Sequence, residues 1–122
     1  MLKKIVLELA RTPEFPNGSS RHGYEFIAPL DRQGHLQADD WPKNKAACTV
    51  RRFWDKADDE TGHLIHRRDG KWVFSYRPGD DDDEPIFRFD SHKFSVGEYV
   101  SVTEHDGIER PFKVVTIVSP TT

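Results

Sequence analysis

The chain has 122 residues, a formal net charge of −3 and a single cysteine. This length suits one domain, here 1–122, and leaves too little material for two hydrophobic cores. The charge argues against a protein that binds polyanions over its whole surface, because such domains are usually basic. One cysteine excludes an intrachain disulfide and a cysteine-based metal centre, so a reducing cytoplasm is the expected location.

The apolar fraction of 35% is low, but three Trp, three Tyr and eight Phe supply large side chains for a core. The start of the chain briefly resembles a signal peptide. Glu8 and Arg11 interrupt its apolar run too early for that function. No apolar stretch is long enough to cross a membrane, so we expect a folded protein without membrane association.

Runs of β-branched and aromatic residues, separated by turn residues, predict the strands. They are Lys3–Leu9, His22–Ala28, Thr49–Trp54, Leu64–Arg68, Lys71–Arg77, Ile86–Phe89, Tyr99–Glu104 and Ile108–Val118. The one helical segment is Ala38–Ala47, where acidic residues and Pro42 suit a first turn. This spacing predicts a mainly β fold, a small barrel or sandwich of about seven or eight short antiparallel strands with one short helix.

The first hairpin is predicted at Asp69-Gly70, where Gly70 accepts the positive φ of a two-residue type I′ loop. In that register Arg68 pairs with Lys71, and Arg67 pairs with Trp72. One face of the hairpin then carries Ile65, Arg67, Trp72, Phe74 and Tyr76. We expect this face to lie in the core, with Arg67 at its rim beside Trp72.

The second hairpin, at Asp106-Gly107, is predicted to have a longer loop because burial decides the register. A two-residue loop would divide the apolar residues between both faces. A three-residue loop over 105–107, with Gly107 left-handed at a bulge, pairs Val100 with Phe112. It gathers on one face Val100, Val102, Ile108, Phe112 and Val114.

Two segments, Gly62 to Tyr76 and Gly97 to Gly107, carry a resemblance to known proteins. The run from Phe94 to Val102 resembles the strand entry of small SH3-like β-barrels. The chain as a whole resembles short conserved bacterial proteins of unknown function. This resemblance implies a small β fold and no activity, so it adds nothing to the assignment of a site.

Histidines are the first candidates for a metal site, and the chain has six: His22, His35, His63, His66, His92 and His105. His63 and His66 lie three positions apart on one strand, so they point to opposite faces and do not easily share an ion. A site built from His66 or His63 together with His92, His22 and an acidic residue from elsewhere stays open. The acidic run Asp80–Glu84 lacks the calcium-loop pattern and is expected to be solvated.

Arginines beside aromatic residues form the candidate binding surface of the sequence: Arg51, Arg52, Trp54, Arg67, Arg68 and Lys71. Such residues on a barrel face are a common means of holding single-stranded nucleic acid. The alternative is that the tryptophans are core residues and the arginines extend from them to water. Cys48 is expected to be a buried, unreactive residue, and no serine–histidine or phosphate-loop pattern indicates a catalytic centre.

Two hypotheses for the function follow. The first is a non-enzymatic binding module that engages a protein or a nucleic acid, as a monomer or weak dimer. The second is a small metal-dependent enzyme or metal-binding protein that uses histidine and aspartate. From the sequence we assign no catalytic, cofactor-binding or metal-binding residue.

Overall fold

The computed structural model describes residues 1–76, 84–85, 93–104 and 106–120. The elements in chain order are β1 (Leu2–Leu9), β2 (Ser19–Pro29), α1 (Trp41–Asn44), β3 (Thr49–Trp54), β4 (Glu60–His66), β5 (Trp72–Ser75), β6 (Glu84–Pro85), β7 (Tyr99–Thr103) and β8 (Glu109–Val118). All strand pairs are antiparallel and belong to one sheet, in the order β6-β5-β4-β3-β2-β1-β8-β7. The prediction of a mainly β fold with seven or eight antiparallel strands and one short helix is confirmed.

The sheet curls into a half-barrel, and its inner face carries the core. The ring of Tyr24 on β2 stacks on Phe74 of β5 at 4.9 Å and meets Phe112 of β8 edge-on at 5.1 Å. These three strands are separated by others in the sheet, so their rings meet only because the sheet is strongly curved. Each ring removes roughly 150–250 Å² from water, which makes this aromatic contact the centre of the core.

The first strand lies in the middle of the sheet, between β2 and β8. Ile5, Leu7 and Leu9 point to the inner face and are buried, as the period-two pattern predicts. The residues between them point to the opposite face, which we call the outer face. The first and the last strand of the chain are therefore neighbours in the sheet.

The helix is shorter than predicted, because only Trp41–Asn44 of the expected Ala38–Ala47 is helical. Asp40 forms no side-chain cap, and the amide of Ala47 already bonds back three residues to Asn44 at 3.0 Å. The chain must then enter β3 at Thr49. Trp41 anchors this single turn, since it is buried and its Nε1–H donates to the Leu64 carbonyl at 2.9 Å.

The second hairpin has the predicted register, with Val100 opposite Phe112. The amide of Glu104 donates to the Ile108 carbonyl at 3.0 Å, which leaves a three-residue loop whose Gly107 has a φ of 82°. The predicted core face is wrong for one residue, Ile108, which is 49% exposed. Glu104 and Arg110 are buried on that face in its place.

The register predicted for the first hairpin is wrong by one residue. His66 lies opposite Trp72, and the amide of Arg67 donates to the Lys71 carbonyl at 2.8 Å. The loop therefore has three residues and ends at left-handed Gly70. This register buries Leu64 on the inner face and keeps Arg67 out of it, which burial of apolar surface favours over the reverse.

Two predicted segments lie outside the described residues: the strand Ile86–Phe89, and the acidic run from Asp80 except for Glu84, which belongs to β6. The other predicted strands are confirmed, with ends shifted by a few residues. In the described part of the chain, no helix has the length and apolar character needed to span a bilayer.

Candidate functional site

The six residues of the predicted binding surface fall in three places. Arg52 and Trp54 point to the inner face, because they lie opposite Tyr24 and His22 of β2. Arg51 points to the outer face. The remaining three lie at the tip of the β4–β5 hairpin: Arg67, Arg68 and Lys71. Since β3 and β4 are antiparallel, this tip is at the opposite end of β3 from Trp54.

Of the two inner residues, Arg52 belongs to an ionic cluster around the buried Glu104, and Trp54 packs against Arg52. Tyr24 donates its hydroxyl to Oε2 of Glu104 at 2.8 Å, and Arg52 donates Nη2–H to the same oxygen at 2.9 Å. Arg110 donates Nη1–H to Oε1 at 2.7 Å. The guanidinium carbon of Arg52 also lies 4.3 Å from the ring centre of Trp54. We call Tyr24, Arg52, Glu104 and Arg110 the inner ionic cluster.

The carboxylates around the inner ionic cluster keep both of its arginines charged. Burial lowers the pKa of Arg52, but Tyr24 and Glu104 raise it by more, so the net direction is upward. For Arg110, burial also opposes the charge, and the hydrogen bonds that Arg110 donates to Asp106 and Glu104 raise its pKa above the usual value. Both arginines are therefore permanently charged and already satisfied by carboxylates. Their role is structural, because their ion pairs join β2, β3, β7 and β8.

His22 packs beside this cluster, against Trp54 at 4.4 Å and Phe15 at 4.6 Å between ring centres. Burial lowers the pKa of His22 below 6.5, which favours the neutral ring. Ser19 Oγ lies 2.6 Å from Nδ1 and accepts the Arg21 amide hydrogen at 3.2 Å. Among the described residues no carboxylate hydrogen-bonds the ring, so this serine–histidine contact lacks the orienting acid of a catalytic triad.

The outer face carries a groove of about 800 Å³ where β1, β2, β7 and β8 meet the 10–18 loop. Three cationic side chains line it: Arg11, Arg21 and Lys113. Glu8 is the one carboxylate among the lining residues, and Tyr99 lies at the far wall. We call this region the cationic groove.

Strand pairing positions one wall of the cationic groove. Glu8 of β1 lies opposite Lys113 of β8, and Lys113 lies opposite Tyr99 of β7, so the three form one row. Tyr99 is 59% exposed, which is unusual for a ring of that size. The row therefore presents a flat aromatic side chain directly beside a lysine.

The arginines of the groove stand at the ends of the first two strands. Arg11 follows β1, and Arg21 lies near the start of β2, where Asp55 is 3.8 Å away in an exposed ion pair. Neither Arg11 nor Lys113 forms an ion pair within the part of the chain that the structure describes. Two of the three cations are thus available to a ligand.

A second groove on the outer face, of about 440 Å³, lies across β2, β3 and β4. Its charged residues neutralise one another. Glu25 lies 3.7 Å from Lys4 and 3.3 Å from Arg51, and Arg51 lies 2.8 Å from Asp59. Exposed pairs of this kind contribute little to stability, but they leave no net charge to attract a ligand.

Among the described residues, no group of three histidine, cysteine or acidic side chains converges to form a metal site. His63 and His66 point to opposite faces, as predicted, and His66 stacks on Trp72 at 4.4 Å. His92 and His105 lie outside the described residues. Cys48 is buried as expected, and burial raises the pKa of its thiol to about 11.

The fold and the groove define a small, mainly β half-barrel domain with a concentration of positive charge on its outer face. Comparison with protein-family models, with curated proteins and with solved structures gives no match. The resemblance to SH3-like barrels and to short bacterial proteins stays a prediction.

Sequence reasoning missed the residues of the cationic groove. The sequence could have revealed Tyr99 and Lys113, because the predicted register of the second hairpin already places them opposite each other. It could not have revealed the two arginines. Arg11 and Arg21 reach the same groove only through the pairing of β1 with both β2 and β8, which no local pattern indicates.

Proposed function

We propose that this chain is a non-enzymatic binding module that engages an anionic partner through the cationic groove. One observation carries the proposal. In a protein with a net charge of −3, three cationic side chains line a single groove in which Glu8 is the only acidic lining residue. Such a local reversal of charge attracts an anion and excludes cationic partners.

The type of group in the groove supports binding. Arg11 and Lys113 supply full charges, while Asn17 and Ser20 at its edge supply neutral hydrogen-bond donors. Arginine in particular matches the geometry of phosphate and carboxylate groups. These groups recognise an anion without requiring a nucleophile or a proton transfer.

The availability of charge favours the groove over the surface predicted from sequence. Arg52 is held by Glu104, and Arg51 is held by Glu25 and Asp59. A ligand at those residues would have to displace an existing carboxylate. At Arg11 and Lys113 it would not.

The experiment compares two variants that each lose two positive charges. Arg11→Gln with Lys113→Gln removes charge from the cationic groove, and Arg68→Gln with Lys71→Gln removes it from the hairpin tip. Binding of fluorescent ten-residue oligothymidylate and decaglutamate is measured by anisotropy over a range of salt concentrations. We expect the groove variant to weaken binding of at least one anion about tenfold and to lower its salt dependence, because fewer counterions are released.

The hairpin variant is the matched control and should change affinity less than about twofold. A larger loss in the hairpin variant than in the groove variant would overturn the proposal and favour the surface predicted from sequence. If the unmodified protein binds neither anion in a salt-dependent manner, the proposal is also wrong.

A further inference from the structure

We infer that the anionic partner is a single-stranded nucleic acid that crosses the strands of the outer face from Tyr99 to Phe53. This inference rests on the proposed function, since it names the partner of the cationic groove. It adds a second aromatic contact, a direction and a length that the groove alone does not define.

The path follows one row of residues through five neighbouring strands. In order these are Tyr99 on β7, Lys113 on β8, Glu8 on β1, Gly23 on β2 and Phe53 on β3. Four steps between strands, at about 4.8 Å each, give a row about 19 Å long. Both ends are aromatic, and the cation of Lys113 lies next to one of them.

Gly23 is the middle residue of this row, and it is buried. A side chain there is impossible without rearrangement, because an added Cβ would lie 1.9 Å from the Leu7 carbonyl oxygen and 2.9 Å from the Phe53 ring. The half-buried Phe53 ring therefore covers the backbone of Gly23. A ligand crossing from β1 to β3 would meet this ring directly, because no side chain of β2 lies between them in the row.

The end of the row on β3 is the Phe53 ring. The guanidinium of Arg51, which Glu25 and Asp59 hold, lies 5.0 Å from the ring centre of Phe53 in a cation–π arrangement and positions the ring. Nucleobases stack on aromatic rings of this kind. With exposed Tyr99 at the other end, the row has an aromatic ring at each end and the charged pair Lys113 and Glu8 between them, while the other two cations, Arg11 and Arg21, line the same groove.

These aromatic ends favour a nucleic acid over an acidic peptide. Carboxylates need only the cations, whereas the bases of a single strand offer flat surfaces that match Tyr99 and Phe53. A duplex keeps its bases stacked on one another and offers only phosphates. At 3.4 Å per stacked nucleotide, a row of 19 Å corresponds to about six nucleotides, and to fewer when the bases are spread apart.

The test uses oligothymidylates of increasing length, a duplex of the same length as the longest, and decaglutamate. We expect the affinity for single strands to rise with length and to level off at about six nucleotides. Tyr99→Leu should weaken oligothymidylate binding about tenfold and leave decaglutamate unchanged. Tyr99→Phe, which keeps the ring, should bind as the unmodified protein does.

Phe53→Leu should weaken binding only of oligomers long enough to span the row, and a thermal melt of each variant verifies that it is folded. The inference is wrong if Tyr99→Leu and Phe53→Leu, both folded, leave oligothymidylate binding unchanged, or if the duplex binds as tightly as the single strand. In either case the proposed function stands as long as the Arg11 and Lys113 variant loses affinity for an anion. If that variant loses nothing, the proposed function fails as well.

Discussion

The inner ionic cluster and the cationic groove contain the same kinds of cation in opposite circumstances. Arg110 is buried, Arg52 is half-buried, and both share the carboxylate of Glu104, whereas Arg11 and Lys113 are exposed and have no ion pair among the described residues. The first pair joins strands, and the second is free to meet a ligand. The role of each cation depends on whether a carboxylate lies within reach, since Arg51 on the outer face is also held by Glu25 and Asp59.

The largest test of this comparison is Glu104→Gln, which removes the carboxylate that both buried arginines share. We expect it to lower the free energy of unfolding by about 2 kcal/mol or more, because the buried Arg110 and the half-buried Arg52 lose their shortest carboxylate contact and keep only the more exposed Asp106, Glu14 and Glu60. Urea denaturation measures the change. Glu109→Gln, at an exposed neighbouring position, is the control and should stay within about 0.5 kcal/mol.

An equal effect of both substitutions would break the comparison, since Glu104 would then behave as a surface residue. The charge-removing variant of the groove offers a second contrast. Arg11→Gln with Lys113→Gln should change stability little while changing anion affinity most.

How far the sequence predicts this fold is clearest from the two hairpins. For the second, burial of Val100 and Phe112 on one face favours the observed register, because a shift by one residue would place them on opposite faces. For the first, the Asp69-Gly70 turn preference predicts a register that excludes Leu64 from the core, whereas Leu64 is fully buried. Where a turn preference and the apolar pattern disagreed, the apolar pattern was the better guide.

The error at Ile108 has a different cause. Glu104 takes a core position because Tyr24 and Arg52, which lie 80 and 52 residues away in the sequence, satisfy its carboxylate. No local pattern reveals partners at that distance, so a carboxylate there is expected to be solvated. The cationic groove was missed for the same reason, since Arg21 and Lys113 are brought together by the pairing of distant strands.

A second prediction concerns His22, which links the two regions because it packs on Trp54 and hydrogen-bonds Ser19 at the groove. Burial lowers the pKa of His22 in the folded protein below 6.5, so the unfolded chain binds a proton that the folded chain resists. Stability from this group is therefore present above pH 6.5 and is lost as the pH falls towards the folded-state pKa. Below that value the loss is constant.

The measurement is the urea midpoint of the unmodified protein and of His22→Gln between neutral and mildly acidic pH. We expect the unmodified protein to lose more stability on acidification than the variant, whatever their difference at neutral pH. Parallel profiles would show that His22 does not titrate differently on folding. His22 would then not couple the inner ionic cluster to the cationic groove.

The smallest predicted effect comes from Glu8, the carboxylate that lies opposite Lys113 in the groove. Glu8→Gln removes repulsion between this carboxylate and an anionic ligand, and we expect it to raise affinity for oligothymidylate about two- to threefold at low salt. The gain should shrink as salt is added, because both charges are at an exposed surface. Glu109→Gln again serves as the control, with no change in affinity.

A gain that persists at high salt would mean that Glu8 acts through the shape of the groove, since screening removes only the electrostatic part. A loss of affinity would mean that Glu8 contacts the ligand as a hydrogen-bond acceptor, and among the groups of a thymine base only N3–H can donate that bond.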